Sequence, residues 1–586
     1  MTENPALPAL RQRLQAGSTS PAEEVTQSLS RISAWNDPAL FLHLTTALPS
    51  PQSGPLAGIA IAVKDNIDVR GMPTTAGCPA FSYHPSEDAA AVALLRTAGA
   101  VPIGKTNLDQ FATGLVGVRS PHGCPRNPVA PDLIPGGSSS GSACAVSAGL
   151  VPLALGTDTA GSGRVPAACT NIVGLKPTRG LISTRGVVPA VRSLDCVSIF
   201  ALTVADAWTA LQVAGVYDAA EPWSRRRPSA ATSVHTGTCR IGIPPAHLLT
   251  GVVDPLLLAG FQAAADILRG QGHQIIDVDI EPLLAAARLL YGPWVAERTA
   301  ALGDFLTEHT TGVDPTVASI ILSGRQVSAV QAWQGVYELE RLRRQSEAIW
   351  ERVDLLLLPT IPCHPTPEQV RADPIGLNSR MGTFTNFANL LDTCALAVPT
   401  RLSQGRPAGV TLFAPAWQDA FLCRVGAALQ DETRLPLGAT AMRLNQPQQL
   451  GQPEEGMAVA VFGAHLRGQP LNRQLLEFGG VYQSECRTAA VYRCHVVPGK
   501  MPRPGLVRTE AGAVISGEVW LLPPAGFGRL VASVAPPLAI GTVELHDGRQ
   551  VKGFVCEEFG ALGTPDISHH GNWRTYLSYT SAGGAV

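Results

Sequence analysis

Short apolar runs alternate with helix-like segments between about Leu56 and Pro399. The runs include PLAGIAIAV, AVPIGK, VPLALGTD and VDLLLLPT, and the other segments include AAAVALLRTAG and the amphipathic QAWQGVYELERLRRQSEAIW. Strands that are apolar on both sides have to be covered on both faces of a sheet, and intervening helices provide that cover. The pattern predicts one large α/β unit with a mixed or parallel central sheet flanked by helices.

The composition changes at residues 444–456, which read LNQPQQLGQPEEG. This polar segment has little to bury and suits a linker. Beyond it come short alternating runs such as MAVAVFGAHL and AVISGEVWLLP, and Asp547-Gly548 separates two more, which is typical of a hairpin. We therefore predict a first domain at residues 1–443 that opens with a helical segment, a linker at 444–456, and a smaller β-rich α+β domain at 457–586.

Charge and cysteine usage restrict the partner and the compartment. The 586 residues carry 44 Lys plus Arg against 46 Asp plus Glu, so nothing favours nucleic acid or an anionic membrane as a partner. The twelve cysteines are scattered singly, without the spacing of a zinc site, which favours a reducing compartment and predicts no metal. The longest apolar stretch, Ala143 to Gly156, is shorter than the roughly 20 residues of a spanning helix, and the first residues lack a secretory pattern. We expect a cytoplasmic protein that acts on a small molecule.

Two stretches rich in glycine and serine are the candidate sites for chemistry. They are PGGSSSGS at Pro135–Ser142 and GTDTAGSGRVPA at Gly156–Ala167. Neither contains GxxxxGK[ST] or GxGxxG, so neither predicts a phosphate loop, and we expect no cofactor. The first satisfies GxSxG with Ser139 as nucleophile, but the preceding CPRNPVAPDLIPGG has prolines where a nucleophile elbow needs a strand.

The second stretch offers a different arrangement. VPLALGTD predicts a buried strand, and the small residues after it allow a substrate carbonyl to approach the backbone closely. The backbone N–H groups of Thr159, Ala160 and Gly161 would then form an oxyanion hole, with Ser162 beside them.

A serine in such a loop needs a base, and one candidate is Lys64, which ends the apolar run IAVK. A lysine acts as a base near neutral pH only if burial lowers its pKa from about 10.4 towards 7, at a cost of about 4 to 5 kcal/mol. The alternative is a solvated lysine at the end of a strand, and spacing alone favours that alternative.

The residues around these stretches resemble the amidase signature hydrolases. The resemblance covers roughly residues 50–440 and is carried by VKDNIDVRGMPTTAG, GKTNLDQFATG and PGGSSSGSACAVSAGLVPLALGTDTAGSGRVPAACTNIVGLKPTRG. It implies that Ser162 is the nucleophile, that Ser138, joined through a cis peptide, relays protons, and that Lys64 is the base. Gly163 departs from the aliphatic residue that is common in the family, and we expect it to enlarge or loosen the site.

Within this family the chain resembles the allophanate hydrolases, on DTAGSGRVPA, YGPWVAER and a β-rich extension. The extension is similar to theirs in VFGAHLRGQPLN, GTVELHDGRQVKGFVCE and DISHHGNWRTYL, which implies a γ-glutamylcyclotransferase-like fold. The resemblance implies hydrolysis of urea-1-carboxylate to ammonia and carbon dioxide in urea degradation, with Tyr291 and Arg298 binding the substrate carboxylate. It also implies a homodimer and a urea carboxylase as a functional partner. His465 is the residue we nominate for loss of carbon dioxide from the first product.

Alternatives stay open on the sequence alone. An amidase of the same chemistry could act on malonamate or biuret, or be the glutaminase component of a tRNA amidotransferase, although the C-terminal extension speaks against the latter. The extension could be an assembly module without a reaction of its own, with His465 as a structural residue. Arg298 could pair with Glu297 on a helix surface, and Tyr291 could be a packing residue.

Overall fold

A computed structural model of the chain describes residues 18–46, 54–228, 237–309, 311–448, 450, 457–478, 480–499, 502–522 and 524–581, together with Leu10, Arg13, Leu14 and Ala16. The strands are β1 (Phe41–Leu44), β2 (Ala60–Lys64), β3 (Val101–Thr106), β4 (Leu153–Asp158), β5 (Val173–Lys176), β6 (Cys196–Ala201), β7 (Arg240–Ile243), β8 (Gln274–Asp277), β9 (Leu355–Pro359), β10 (Thr393–Ser403), β11 (Arg406–Pro415), β12 (Met457–Val461), β13 (Val481–Arg487), β14 (Tyr492–Val497), β15 (Arg503–Arg508), β16 (Ser516–Leu522), β17 (Leu538–Glu544) and β18 (Gln550–Cys556).

Helices connect most of these strands. The α-helices span Pro21–Trp35, Ala90–Thr97, Ser140–Ser147, Val165–Cys169, Val204–Ala214, Pro255–Gly270, Glu281–Leu289, Val295–Glu308, Pro315–Ser323, Ala329–Arg352, Pro367–Ala372, Gly376–Met381, Phe387–Leu390, Asp419–Thr433, Asn472–Glu477, Pro524–Ser533, Glu558–Ala561 and Trp573–Ser581. Short 3-10 turns lie at Pro79–Phe81, Gln110–Ala112, Ala246–Leu248, Gly324–Gln326 and Ser568–His570.

The first eleven strands form one mixed sheet in the described part of the chain. Their order is β1-β3-β2-β4-β6-β5-β10-β11-β9-β7-β8. Neighbours are parallel from β3 through β2 to β4 and again from β9 through β7 to β8, and the other pairs are antiparallel. The prediction of an α/β fold with a mixed sheet flanked by helices is therefore confirmed.

The apolar runs of the sequence occupy the interior of this sheet. β2, β3, β4, β5, β6 and β9 are buried at every residue. Helices cover them, among them Ser140–Ser147 against β4 and Pro255–Gly270 against β11. Burial of both strand faces explains why the runs are continuously apolar rather than alternating.

The pairing of β2 with β4 determines where the candidate site lies. The two strands are parallel, with Ile61 opposite Leu153 and Val63 opposite Leu155. Because the carboxyl ends of parallel strands meet at one edge of a sheet, Lys64 at the end of β2 lies beside the end of β4. The loop that contains Ser162 begins at that point.

The chain divides into two compact units, Met1–Arg226 with Cys239–Leu450, and Arg227–Thr238 with Gly451–Val586. The predicted linker at 444–456 spans this division, and its residues 449 and 451–456 lie outside the described part. In the second unit a five-stranded sheet has the order β13-β16-β12-β18-β17, and β14 pairs with β15. The predicted hairpin at Asp547-Gly548 joins the antiparallel strands β17 and β18. The unit has its own core, which includes Tyr492 and Trp520.

Two further features bear on the sequence-based expectations. Among the described residues, the helices do not include one that is both long and apolar enough to cross a membrane. All twelve cysteines are free thiols, and all but Cys124 are buried.

Candidate active site

Lys64 is fully buried at the end of β2 and contacts two hydroxyl groups. Its Nζ lies 2.7 Å from Ser138 Oγ and 2.7 Å from Thr157 Oγ1. Thr157 also accepts a hydrogen bond from the side chain of Asn66 at 3.3 Å. The alternative of a solvated lysine is therefore not what the structure has. Thr157 was missed from the sequence, although a hydroxyl residue in an otherwise apolar strand is a signal that could have identified it.

The electrostatic environment favours the neutral form of this lysine. Burial lowers the pKa of Lys64 to about 7, although the carboxylates of Asp109, Asp195 and Asp158 favour the charged form. A lysine with this pKa is largely deprotonated just above neutral pH, which is the state that can accept a proton from a hydroxyl group.

Ser138 follows a cis peptide bond after Gly137 and is fully buried. Its carbonyl oxygen accepts a hydrogen bond from the backbone N–H of Asp109 at 3.1 Å. The Asp109 carboxylate in turn accepts backbone N–H groups at 2.9 to 3.2 Å from Val116, Gly117 and Arg119. Asp109 thus ties residues 116–119 to the serine, a role that its position in GKTNLDQFATG did not reveal.

Ser162 lies in a loop that a buried ion pair closes. Arg164 contacts Asp158 through two hydrogen bonds of 2.9 and 3.0 Å, and the backbone N–H of Gly163 donates to the same carboxylate at 3.0 Å. Burial alone would raise the pKa of Asp158, but the charge and hydrogen bonds of Arg164 outweigh it and hold the pKa below its usual value. The loop between these two residues is therefore fixed at both ends.

The structure brings the three predicted residues to one edge of the sheet without connecting all of them. Lys64 is hydrogen-bonded to Ser138. Ser162 is 3% exposed, and no hydrogen bond joins it to Ser138 in the part of the chain that the structure describes. The first proton transfer is preformed, whereas the second requires a small movement of one hydroxyl.

The loop from Thr159 to Ser162 leaves backbone donors available. The N–H groups of these four residues have no acceptor among the described residues. Gly161 has φ +143°, and a Cβ there would lie 2.5 Å from Thr385 Oγ1, so only glycine fits. The side chain of Asn389 holds the carbonyl oxygen of Asp158 at 2.7 Å. Unpaired N–H groups in a fixed loop are the features that an oxyanion hole needs.

Arg298 is buried, and its guanidinium group lacks a carboxylate partner among the described residues. Its Nη1 donates to Thr113 Oγ1 at 3.1 Å, and its Nε has no acceptor. Burial lowers its pKa, against the favourable effect of Tyr291 and Asp195. Glu297 instead accepts hydrogen bonds from the backbone and hydroxyl of Ser193, both at 2.6 Å, so the alternative pairing of Arg298 with Glu297 is absent.

Tyr291 lies one turn before the helix Val295–Glu308 that carries Arg298, and it is partly buried. Its hydroxyl oxygen accepts a hydrogen bond from the side chain of Asn378 at 3.3 Å. The hydroxyl is thus held by a neutral donor, which leaves its own proton available.

Ser139, the residue that fits the GxSxG pattern, is a structural residue here. It is fully buried, its Oγ lies 3.2 Å from the carbonyl oxygen of Thr157, and the Thr157 N–H donates to it at 3.4 Å. A hydroxyl that joins the turn to β4 in this way is not free to attack a substrate.

Gly163 does not enlarge the site, contrary to the expectation from the sequence. A Cβ at this position would lie 2.5 Å from the Cβ and 2.7 Å from the Oγ of Ser198, a residue of β6. The space that a side chain would occupy is therefore filled from the neighbouring strand. The departure from the family pattern is a packing exchange between two positions.

His465 lies in the second unit, beside a cavity of about 230 Å³ that Arg503 also lines. Its Nε2 is 2.8 Å from Gln474 Oε1, and its ring stacks on Phe554 at 4.7 Å between centroids. Burial lowers the pKa of His465, with Gln474 opposing and Arg503 adding to the shift. The imidazole is therefore neutral near pH 7, and the hydrogen bond to Gln474 leaves Nδ1 as an acceptor.

The fold and the buried lysine–serine pair are those of an amidohydrolase. The family model described as Amidase matches residues 42–423, and the one described as allophanate hydrolase C-terminal domain matches residues 457–578. The chain belongs to the amidase family. Among the described residues, no cluster of three or more His, Cys, Asp and Glu side chains is placed to hold a metal ion.

Relatives extend the likeness over nearly the whole chain. The Kluyveromyces lactis allophanate hydrolase structure is 39% identical, with a TM-score of 0.75, and the match covers 98% of this chain and 99% of that one. The urea amidolyase of Lachancea kluyveri is 43% identical over 90% of this chain, which spans only 30% of that protein's length. A glutamyl-tRNA(Gln) amidotransferase polypeptide of Chloroflexus aurantiacus is 34% identical, over 72% of this chain and 95% of its own length.

The lowered pKa of Lys64 predicts a particular pH dependence. The neutral amine is the base, so kcat/KM on a neutral amide such as malonamide should fall about tenfold for each pH unit below 7 and level off above it. Lys64→Arg, which stays charged, should be inactive at every pH from 5 to 9. An activity that instead climbs towards pH 10 would mean that Lys64 keeps an ordinary pKa.

The packing exchange between Gly163 and Ser198 predicts a specific rescue. Gly163→Ala should lower the free energy of unfolding by about 1 to 3 kcal/mol, measured by urea denaturation, because the new methyl group overlaps Ser198. Adding Ser198→Gly should recover much of the loss, whereas Ser198→Ala, which keeps the overlapping Cβ, should not. Equal rescue by both substitutions would contradict the packing exchange.

Proposed function

We propose that this protein is an allophanate hydrolase, which converts urea-1-carboxylate to ammonia and carbon dioxide in urea degradation. The observation that carries the substrate class is the buried Arg298, whose Nε has no acceptor and which has no carboxylate partner among the described residues. A buried cation without a counterion is costly, and an anionic substrate removes the cost. Similarity to a solved allophanate hydrolase over both units supports the same assignment.

Acylation begins at Lys64. The neutral amine takes the proton of Ser138, which takes the proton of Ser162, and Ser162 Oγ attacks the terminal amide carbonyl carbon. The unpaired N–H groups of Thr159, Ala160 and Gly161 stabilise the oxyanion, an effect of about 3 to 4 kcal/mol per donor. The proton returns through Ser138 to the leaving nitrogen, the C–N bond breaks, and ammonia departs.

Deacylation repeats the sequence with water. Lys64 and Ser138 draw a proton from a water molecule, the resulting hydroxide adds to the acyl carbon, and Ser162 leaves with the proton that the relay returns. The balance is one water consumed, one ammonia released and one N-carboxycarbamate formed.

The substrate carboxylate is bound by Arg298 and Tyr291. A planar guanidinium group can donate two parallel hydrogen bonds to a carboxylate, which a lysine cannot. The tyrosine proton adds a third donor. Small amides that carry a carboxylate are thereby favoured over neutral ones, and malonamate, which has this feature, is the second candidate substrate.

This assignment predicts a selective effect of Arg298→Lys. Its kcat/KM on allophanate and malonamate should fall by about 10- to 100-fold, while malonamide should lose far less, because only the first two carry the carboxylate. Ammonia release from these substrates, biuret and glutamine would be compared, with Ser162→Ala as the inactive blank. Equal losses on malonamate and malonamide would remove Arg298 from carboxylate recognition.

The second unit is proposed to act on the first product. N-Carboxycarbamate loses carbon dioxide when a proton reaches its nitrogen, and the cavity beside His465 offers a neutral imidazole together with the cation of Arg503. Gln474 and Phe554 hold the imidazole in one orientation. The alternative is that this unit serves assembly alone.

The two roles of the second unit give different results for His465→Asn. If the histidine assists decarboxylation, ammonia release from the first step should keep its rate, while carbon dioxide release should slow by at least about tenfold. Stopped-flow detection of both gases would measure the two rates, and His546→Asn, on the surface of the same unit, is the matched control. Carbon dioxide release that keeps pace with ammonia in His465→Asn would favour the assembly role.

The cellular setting follows from the substrate. Urea-1-carboxylate forms by carboxylation of urea, so we propose a urea carboxylase as the functional partner, in the cytoplasm. A homodimer is the proposed assembly, in keeping with the family resemblance.

A further inference from the structure

Asn378 lies in the helix Gly376–Met381 and is 2% exposed. Its Oδ1 accepts the backbone N–H of Leu115 at 2.8 Å, and its Nδ2 lies 3.3 Å from the hydroxyl oxygen of Tyr291. A backbone N–H can only donate, so the amide oxygen must face Leu115 and the amide nitrogen must face Tyr291. The orientation of the amide is therefore determined by the backbone.

This orientation determines the direction of the tyrosine proton. Because Asn378 donates to Tyr291, the hydroxyl oxygen is the acceptor in that bond, and its own proton has to point elsewhere. Tyr291 is partly exposed and lies near Arg298, whose pKa its charge influences. A hydroxyl proton held beside an unpaired guanidinium group is suited to an anion.

The same loop holds Arg298. Thr113, two residues before Leu115, accepts the hydrogen bond of Arg298 Nη1 at 3.1 Å. Arg119 donates to the carbonyl oxygen of Thr113 at 2.9 Å and, through its other amino group, to that of Pro374. Residues 113–119 and the segment that leads into Asn378 are thus joined on both sides of the two proposed carboxylate ligands.

We propose that Asn378 is a positioning residue that directs the hydroxyl proton of Tyr291 towards the substrate carboxylate, and so determines specificity for carboxylate-bearing amides. The inference rests on the proposed function, in which Tyr291 and Arg298 bind that carboxylate. Asn378 itself does not touch the substrate.

Two substitutions separate proton direction from simple packing. Asn378→Asp keeps the shape and the bond to Leu115, but its second oxygen only accepts, so Tyr291 must donate to it and loses its proton to the wrong partner. Asn378→Ala removes more packing yet leaves the proton free to rotate. We expect kcat/KM on malonamate to fall at least about tenfold in Asn378→Asp, and by less in Asn378→Ala. A packing role gives the opposite order, which would overturn the inference.

A Tyr291→Phe background separates proton direction from added charge. Without the hydroxyl there is no proton to misdirect, so adding Asn378→Asp should reduce kcat/KM on malonamate by less than about threefold. Charge repulsion would persist in the double variant at the full size, and that result would reject the proposal. Malonamide, which is neutral, should show a smaller loss than malonamate in every Asn378 variant.

The wild-type enzyme distinguishes this inference from the proposed function. If the wild type does not prefer malonamate to malonamide, or Arg298→Lys leaves that preference unchanged, the proposed carboxylate site is wrong and the role of Asn378 falls with it. If the preference exists and depends on Arg298, but the order of Asn378→Asp and Asn378→Ala is reversed, only the role of Asn378 is wrong.

Discussion

The chemistry of this protein depends on an uncharged amine held inside the sheet. Lowering the pKa of Lys64 from 10.5 to about 7 corresponds to about 5 kcal/mol of destabilised ammonium, at 1.36 kcal/mol per unit. Its neighbour Lys105, equally buried on β3, lies 3.2 Å from the carboxylate of Asp65, whereas Lys64 contacts two hydroxyl groups. The partner that is a hydroxyl rather than a carboxylate is what leaves one lysine available as a base.

Ion pairing serves the loop of Ser162 rather than the base. The bidentate contact of Arg164 with Asp158 is completely buried, so the desolvation of both groups offsets much of its attraction. Its clear effect is geometric, because it closes a seven-residue loop and leaves the N–H groups between Thr159 and Ser162 without protein acceptors. Donors fixed before the reaction need no reorganisation when charge develops on the substrate.

The fold was largely predictable, since β2, β4 and β9 are continuously apolar and fully buried, as strands inside a covered sheet must be. The resemblance nominated Lys64, Ser138 and Ser162, which spacing alone did not, because the meeting of residues 64 and 138 depends on tertiary contact. Asp109 and Asn378 could not be inferred: each acts through backbone groups of residues 115–119, and no sequence pattern records such contacts. Gly163 misled for the same reason, since its partner Ser198 lies on another strand.

Asp109 connects substrate recognition with catalysis. Its carboxylate holds the N–H groups of Val116, Gly117 and Arg119, and its own N–H holds the carbonyl oxygen of Ser138. The same short segment supplies Thr113 to Arg298 and Leu115 to Asn378. The distance between a bound carboxylate and the attacking hydroxyl is therefore set by one hydrogen-bonded segment rather than by two independent loops. An amide carbon is presented to the nucleophile only if it lies at the right separation from the carboxylate, and this constraint selects short, dicarbonyl substrates.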